Sequence, residues 1–460
     1  MATTGNSRED LLRNEMLRID GVEPNKSNPL NKHLKMAANP FRFFRGSAQL
    51  YYADLSLGNI SLPKELVVNV PLTTIVGDCH LSNFGFFTEE GAHGDTVIFA
   101  PNDFDDACIG PAAWDLLRFG VSLCLAADFG QGLVDSTYSS AEINDIAGWS
   151  AVTDDEAVAA VSVFFAAYRK TCFETTKNPE LRRTALAKFE NGHMLANFER
   201  KACQRAAGGK KFLKKSALAK AIDYSNDELR FRNKSDRFKR LPQKRYAEIE
   251  TAFRPYVDDH ILDIVERLGA GTGSENMSRF YLLVGPKAGC GPNNYRGLED
   301  LHLCHLVEIK QQRKAAPIYH FPDASPNNSL DPAHLTVDCQ RRMQRRPDIV
   351  LDDAVWQNAH WLVRSRHHAR LGIDPEDVVM YRKGEGATKE NQHNNIQDYA
   401  NACGTALALA HARGDRRSVR FEQAIVRVLK DFEDSLLEEC LKYKDRVSRD
   451  WQILADLVGH

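Results

Sequence analysis

The spacing of apolar and polar positions changes period several times along the chain. Residues 8–19 carry apolar side chains at helical spacing and predict a short helix, followed by a Pro/Asn-rich turn. An aromatic-rich stretch over 41–52 shows mixed helical spacing. Residues 71–76 and 96–100 are short, apolar and β-branched, which predicts strands, and the polar segment 88–95 suits a hairpin-like connection. Apolar positions at i, i+3 and i+4 then predict helices over 114–127, 154–173 and 179–205. Farther on, 261–268, 279–284, 302–309 and 360–364 are short apolar runs, and a helix is predicted between the last two at 332–344. Helical patterning returns over 394–412 and 419–457. The order is helical, then small and β-rich, then helical, so the expected class is α+β.

Composition narrows the class without naming a function. The 460 residues are 43% hydrophobic and 27% charged, ordinary for a globular protein and incompatible with a disordered or collagen-like chain. No run is expected to reach the roughly 18–20 apolar residues of a bilayer crossing, and the polar, mixed-charge start does not read as a secretory signal. Ten cysteines stand without a C-x-x-C pair, which argues against a disulfide framework or structural zinc and for a cytoplasmic chain with reduced thiols. With a net charge of −2 the whole-protein field gives no push toward nucleic acid. One stretch departs from this balance: residues 200–245 hold 16 Lys/Arg against 4 Asp/Glu. It reads first as a solvated face and second as a docking surface for an anionic substrate or partner; its few aromatics do not support nucleic-acid binding.

The densest chemistry is Gly77, Asp78, Cys79, His80, Leu81, Ser82 and Asn83, followed by Asn102, Asp103, Phe104, Asp105 and Asp106, then Trp114 and Asp115. The first group follows a predicted strand and the second ends one. A carboxylate and an amide five residues apart on a loop can face one space, and an acid ending the next strand can converge on it. Hard oxygen donors of this kind suit Mg2+ together with substrate phosphates. A carboxylate left off the metal can orient a hydroxyl and accept its proton. His80 taken alone reads as a hydrogen-bonded structural histidine.

Gly77-Asp78-x-His80-x-x-Asn83 resembles the catalytic loop of the aminoglycoside-phosphotransferase and choline-kinase branch of the protein-kinase-like superfamily. Asp103-Phe104-Asp105 resembles the metal-binding motif of that branch, and Trp114-Asp115-Leu116 its later structural aspartate. The resemblance implies that Asp78 is the catalytic base, that Asn83 and Asp103 bind Mg2+, and that Asp115 braces the loop. It also implies a β-rich nucleotide lobe, which here follows the catalytic loop. Gly269, Gly271, Gly273 and Ser274 lie between two predicted strands, as a phosphate-covering β-turn-β would. Lys310, rather than Lys287, would meet the ATP phosphates, with Asp338 on the following helix as its acidic partner.

The segment from Cys403 to His411 resembles the helix that runs into the catalytic loop in such phosphotransferases. Read as a circle, the pieces fall into kinase-like order, so the implied fold is two-lobed and circularly permuted. Its expected units are an N-terminal helical segment (1–60), a helical lobe with the catalytic loop (61–260), a β-rich nucleotide lobe (261–375), and C-terminal helices packing back (376–460).

Over roughly 40–413 the chain is also similar to the bacterial domain-of-unknown-function family 2252. The carriers are Phe41 to Gly46, the Gly77 loop, 102–118, 269–274, 340–344, Val363 to Ser365, and 408–413. After the strand lysine that family has an acid, where this chain has Gln311 and Gln312. The implied activity is an ATP- and Mg2+-dependent phosphotransferase acting on an unidentified hydroxyl acceptor. The alternative is a nucleotide-binding pseudokinase that engages a partner. A metal phosphoesterase lacks its further histidine motifs. Arg42 and Arg45 read as salt-bridge partners on a helix, or as phosphate contacts, and Arg118 as a structural partner of an acid.

Overall fold

A computed structural model describes residues 7–143, 145–223, 229–269, 277–286, 298–382 and 389–460. The chain is mixed α+β, with several antiparallel sheets.

In the first half, β1 (Thr73–Ile75) pairs with β4 (Cys108–Gly110), and β2 (Phe84–Thr88) forms a hairpin with β3 (Val97–Pro101). A short strand, Leu371–Gly372, adds to the far side of β2. The sequence does not announce β2 because all five of its residues are buried, which removes the alternation that marks a half-exposed strand. Two long helices follow, α1 (Ala112–Val134) and α2 (Asp154–Lys177); α2 starts at a Thr153–Glu156 capping box. The ring of Phe119 on α1 stacks on Phe164 of α2 at 4.2 Å and meets Phe84 edge-on at 5.3 Å, tying hairpin and helices into one core. By length and composition α1 is apolar enough to span a bilayer, contrary to the expectation above, but most of it is buried within the protein.

Of the helix predicted over 179–205, only the part from Ala196 to Cys203 is α-helical. A 3-10 turn, Pro179–Arg183, is followed by irregular chain until Ala196–Cys203. Here tertiary bonds replace helical ones: Leu186 accepts from the Phe99 amide at 2.7 Å, and Arg413 donates to the carbonyls of Arg182 and Thr184 at 2.7 and 2.6 Å.

A six-stranded antiparallel sheet forms the second region, from β5 (Phe238–Arg240), β6 (His260–Arg267), β7 (Arg279–Gly285), β8 (His305–Gln312), β9 (Leu351–Trp356) and β10 (Ala359–Ser365), in the order β9-β10-β8-β7-β6-β5. The sheet begins before residue 261, and helix α3 (Gln243–Phe253) between β5 and β6 covers one face. Ile249 and Phe253 pack there on Ile264, Phe280, Leu282, Val307, Ile309 and Val363. The alternate positions, Arg279, Tyr281, Glu308, Lys310, Gln312 and Arg364, share the other face, as the register Arg279↔Lys310, Tyr281↔Glu308 and Glu308↔Arg364 requires. Helix α4 (Pro332–Met343) lies between β8 and β9 in sequence.

The C-terminal helices return to the first half. α5 (Lys389–Ala412) lies along α2, and α6 (Glu433–Val458) packs on α1. The pattern over 419–457 divides in the structure, with Arg420–Val428 and a 3-10 turn preceding α6. Arg8, at the start of the first helix, donates to Asp450 on α6 at 2.7 Å and to Asp54 at 2.7 Å, so both ends of the described chain meet.

Candidate active site

The loop after β1 is fixed by its backbone before its side chains matter. Gly77 holds φ +78°, and a Cβ there would stand 1.9 Å from the carbonyl oxygen of Asp106. Asp115, fully buried at the start of α1, accepts from the Val76 and Gly77 amides at 2.7 and 3.0 Å. Its Oδ2 also lies 3.0 Å from His411 on α5, whose other ring nitrogen meets the Tyr168 hydroxyl at 2.7 Å. Tyr52 donates to the Gly77 carbonyl at 2.6 Å. One carboxylate thus joins the loop, α1 and α5.

Arg118, one turn beyond Asp115 and completely buried, donates through Nε to Asp78 Oδ1 at 2.8 Å and through a terminal nitrogen at 2.5 Å. Burial pushes the Asp78 carboxyl up to about 6; Arg118 opposes that rise, while Asp106 and Asp103 add to it. Oδ2 of Asp78 is left free of Arg118, with His80 Nε2 3.6 Å away. Burial, then Arg45 and Arg118, hold His80 well below the usual imidazole range, so it is a neutral group. Asn83 donates its amide to the Asp78 carbonyl at 2.7 Å, which leaves its Oδ1 available to accept or ligate.

The β2–β3 hairpin brings the second acid group in. Phe84 opposes Pro101, and the Asn102 amide donates to the Asn83 carbonyl at 3.0 Å, so Asn83 and Asp103 stand at adjacent hairpin ends. Asp106 is held by the Ala316 amide at 2.7 Å. Asp105 Oδ1 is buried without a hydrogen-bond partner among the described residues. The donors here, Asn83, Asp103 and Asp105, are all hard oxygens, and one is orphaned; this set fits Mg2+ rather than a softer ion.

Across from these acids stands the polar face of the sheet. A cavity of about 340 Å³ is lined by Asp78, His80, Asn83, Asp103, Asp105 and Asp106 on one side and by sheet residues including Lys310 and Gln312 on the other. Gly269, just past the end of β6, lines the same cavity, with φ +59°. Gly271, Gly273 and Ser274 lie outside the described residues. Burial lowers the Lys310 ammonium to about 7, against the pull of Asp103. Its ion-pair partner is Asp105, and Gln312 donates to the Asp105 carbonyl at 2.9 Å. The expected partner, Asp338, pairs instead with Arg342 on its own helix at 2.9 Å. Lys310 points at the hairpin acids rather than at α4, so the nearer carboxylate takes that place.

The larger surprise is cationic. Arg45, Arg267, Arg279, Arg313, Arg364, Arg366 and Arg370 all line this cavity. Buried Glu308 anchors the group, taking Arg279 at 3.1 Å and Arg364 at 2.9 Å. Burial favours its neutral form, but Arg279, Arg364 and Arg366 together hold its carboxyl far below the usual range. Arg45 forms no salt bridge among the described residues, contrary to the reading of its helix; its Nε is buried and unpartnered. The alternation of Arg279 with Tyr281, and of Glu308, Lys310 and Gln312, carried a signal for this face. It is hidden in sequence because a polar face of period two normally means solvent. The basic stretch over 200–245 anchors its own apolar side chains, Phe212, Leu218, Phe231 and Phe238, in a core cluster under the sheet.

Neither the curated proteins nor the solved structures contain a match to the chain. Over residues 29–457 it matches the family described as an uncharacterized protein conserved in bacteria, DUF2252, and the chain belongs to that family.

Proposed function

We propose that this chain is an ATP- and Mg2+-dependent phosphotransferase with a circularly permuted, two-lobed kinase-like fold, acting on a hydroxyl acceptor. The observation that carries the reading is convergence: Asp78, Asn83 and Asp103 from the front of the chain and Gly269 and Lys310 from far behind them line one cavity.

Each residue then has a part. Asn83 and Asp103, with Asp105 beside them, would hold Mg2+, which supplies charge neutralisation at the phosphate oxygens. Arg118 occupies one oxygen of Asp78 and sets its orientation. The other oxygen is free to align the acceptor hydroxyl and take its proton as the new P–O bond forms and the bond to the leaving ADP breaks. Lys310 and the sheet arginines would hold the triphosphate, with Gly269 at the edge of the phosphate-covering turn. Seven arginines and one lysine against four aspartates line the cavity, a balance that suits a polyphosphate.

Thermal-shift titration with nucleotides, with and without Mg2+, followed by phosphate-release and acceptor-transfer assays, tests the proposal. Stabilisation by Mg2+–ATP at millimolar concentration supports it; no stabilisation by any nucleotide overturns it. One observation favours a second reading, a nucleotide-binding pseudokinase: Lys310 is already neutralised by Asp105. Binding without turnover would select that reading, with the basic stretch over 200–245 as the surface for an anionic partner.

A further inference from the structure

Away from the cavity, three donors from three separate segments converge: His93 on the β2–β3 connection, Asp258 ahead of β6, and His305 at the first position of β8. Their ligand atoms all lie within 4.8 Å of one another. His93 Nε2 is 2.6 Å from Asp258 Oδ2, and His305 Nε2 is 3.0 Å from Asp258 Oδ1. His305 is 7% exposed, and its Nε2, although beside a carboxylate, has no aligned hydrogen bond. A buried imidazole nitrogen aimed at this point without a donor–acceptor line is what a ligand-ready histidine looks like.

The loop that presents His93 is built to hold it. Gly91 takes φ +71°, where a Cβ would fall 1.9 Å from Asp348 Oδ1. The Thr88 hydroxyl donates to the Gly91 carbonyl at 2.5 Å, the Ala92 amide to Ser365 Oγ at 2.9 Å, and the Glu90 amide to the Arg346 carbonyl at 3.2 Å. Asp348 in turn accepts from the Ser365 hydroxyl at 2.6 Å. The loop is therefore seated on the sheet by its backbone, and the His93 side chain is left to its partners. Side-chain exposures of 28% for His93 and 42% for Asp258 leave a path for an ion and for a water at a fourth position.

We infer that His93, Asp258 and His305 form a site for a divalent first-row transition cation of the zinc class. Two imidazoles and one carboxylate are borderline donors that select such an ion over Mg2+ or Ca2+. Zinc held at about 2.0–2.2 Å keeps its donors roughly 3.3 Å apart, so the 2.6 and 3.0 Å contacts of Asp258 would open slightly on binding. The ion clamps the β2–β3 hairpin, whose ends carry Asn83 and Asp103, to β8, which carries Lys310 five residues, roughly 17 Å, farther along. It is a positioning site, distinct from the Mg2+ site proposed above and independent of that reading.

The test uses the full chain, stripped with a chelator and dialysed, in millimolar Mg2+ to occupy the acidic cavity. Zinc is titrated against a chromogenic chelator, and Co2+ is added to a second sample for its visible d–d bands. One equivalent of tight zinc, the strong absorption of four-coordinate Co2+, and a raised melting temperature are expected. H93Q and H305Q are expected to lose at least about 100-fold in zinc affinity, while D103N keeps it. Because H305Q changes a buried residue, the half-exposed H93Q serves if that variant does not fold. No zinc binding by the wild type, or equal binding by wild type and H93Q, overturns the inference.

Discussion

At Asp78 the fold sets both orientation and acidity. Held up to about 6 chiefly by burial, this carboxyl is the group whose ionised form the proposed mechanism requires. Activity (kcat/KM) is therefore expected to fall on the acid side with a limb near pH 6, because protonation removes the acceptor for the hydroxyl proton. D78N is expected to lose about 10²–10⁴ in turnover while still being stabilised by nucleotide; unchanged turnover would remove Asp78 from the mechanism. Arg118 tests the support rather than the chemistry. R118M leaves Asp78 without its buried partner and is expected to cost about 3–5 kcal/mol in urea unfolding. The acids and the amide were legible in the sequence because strand-terminal Asp and Asn cluster there. That Arg118 would meet Asp78 was not, since a buried arginine on an apolar helix shows only its spacing from Asp115.

The six-stranded sheet carries its lesson in register. Strands β7, β8 and β10 turn Phe280, Leu282, Val307, Ile309 and Val363 to α3 and Arg279, Tyr281, Lys310, Gln312 and Arg364 to the cavity, and a slip of one residue would exchange the faces. Glu308 fixes the cationic side. Against the opposing effect of burial, the arginines hold its carboxyl far below the ordinary glutamate value of 4.5, so it contributes stability that is present above that value and is lost as pH falls below it. E308Q is expected to unfold about 3–5 kcal/mol more easily at neutral pH and to show a flatter loss of stability below about pH 4.5; equal acid sensitivity in the variant would refute this origin. The sequence disclosed β6, β7, β8 and β10 as short apolar runs. It concealed β9, an edge strand whose buried positions, Leu351 and Ala354, fall three apart rather than alternating, and it read 179–205 as helix because amphipathic spacing cannot report carbonyls spent on Arg413 and Phe99.

On the scale of the whole molecule, the first and last described helices meet through Arg8 and Asp450, and the turn over 233–236 is exposed. A gene that opens at Ser235, joins the old ends by a flexible linker and closes at Lys234 would place the sheet first and the Asp78 loop later. This permutant is expected to fold with a melting temperature within several degrees of the parent and to keep its nucleotide response. Failure to fold would mean that the order of the two regions matters in a way a kinase-like circle does not allow.

By itself the sequence determined the α+β class, the loop-borne oxygen donors, and family membership, because these rest on local spacing and on residues close together in the chain. Tertiary structure alone decided that Lys310 pairs with Asp105 rather than Asp338, that seven arginines face those acids, and that His93 and His305 share Asp258. The physical reason is that ionic partners are chosen by distance in space and by burial, and neither is written in the interval between two residues along the chain.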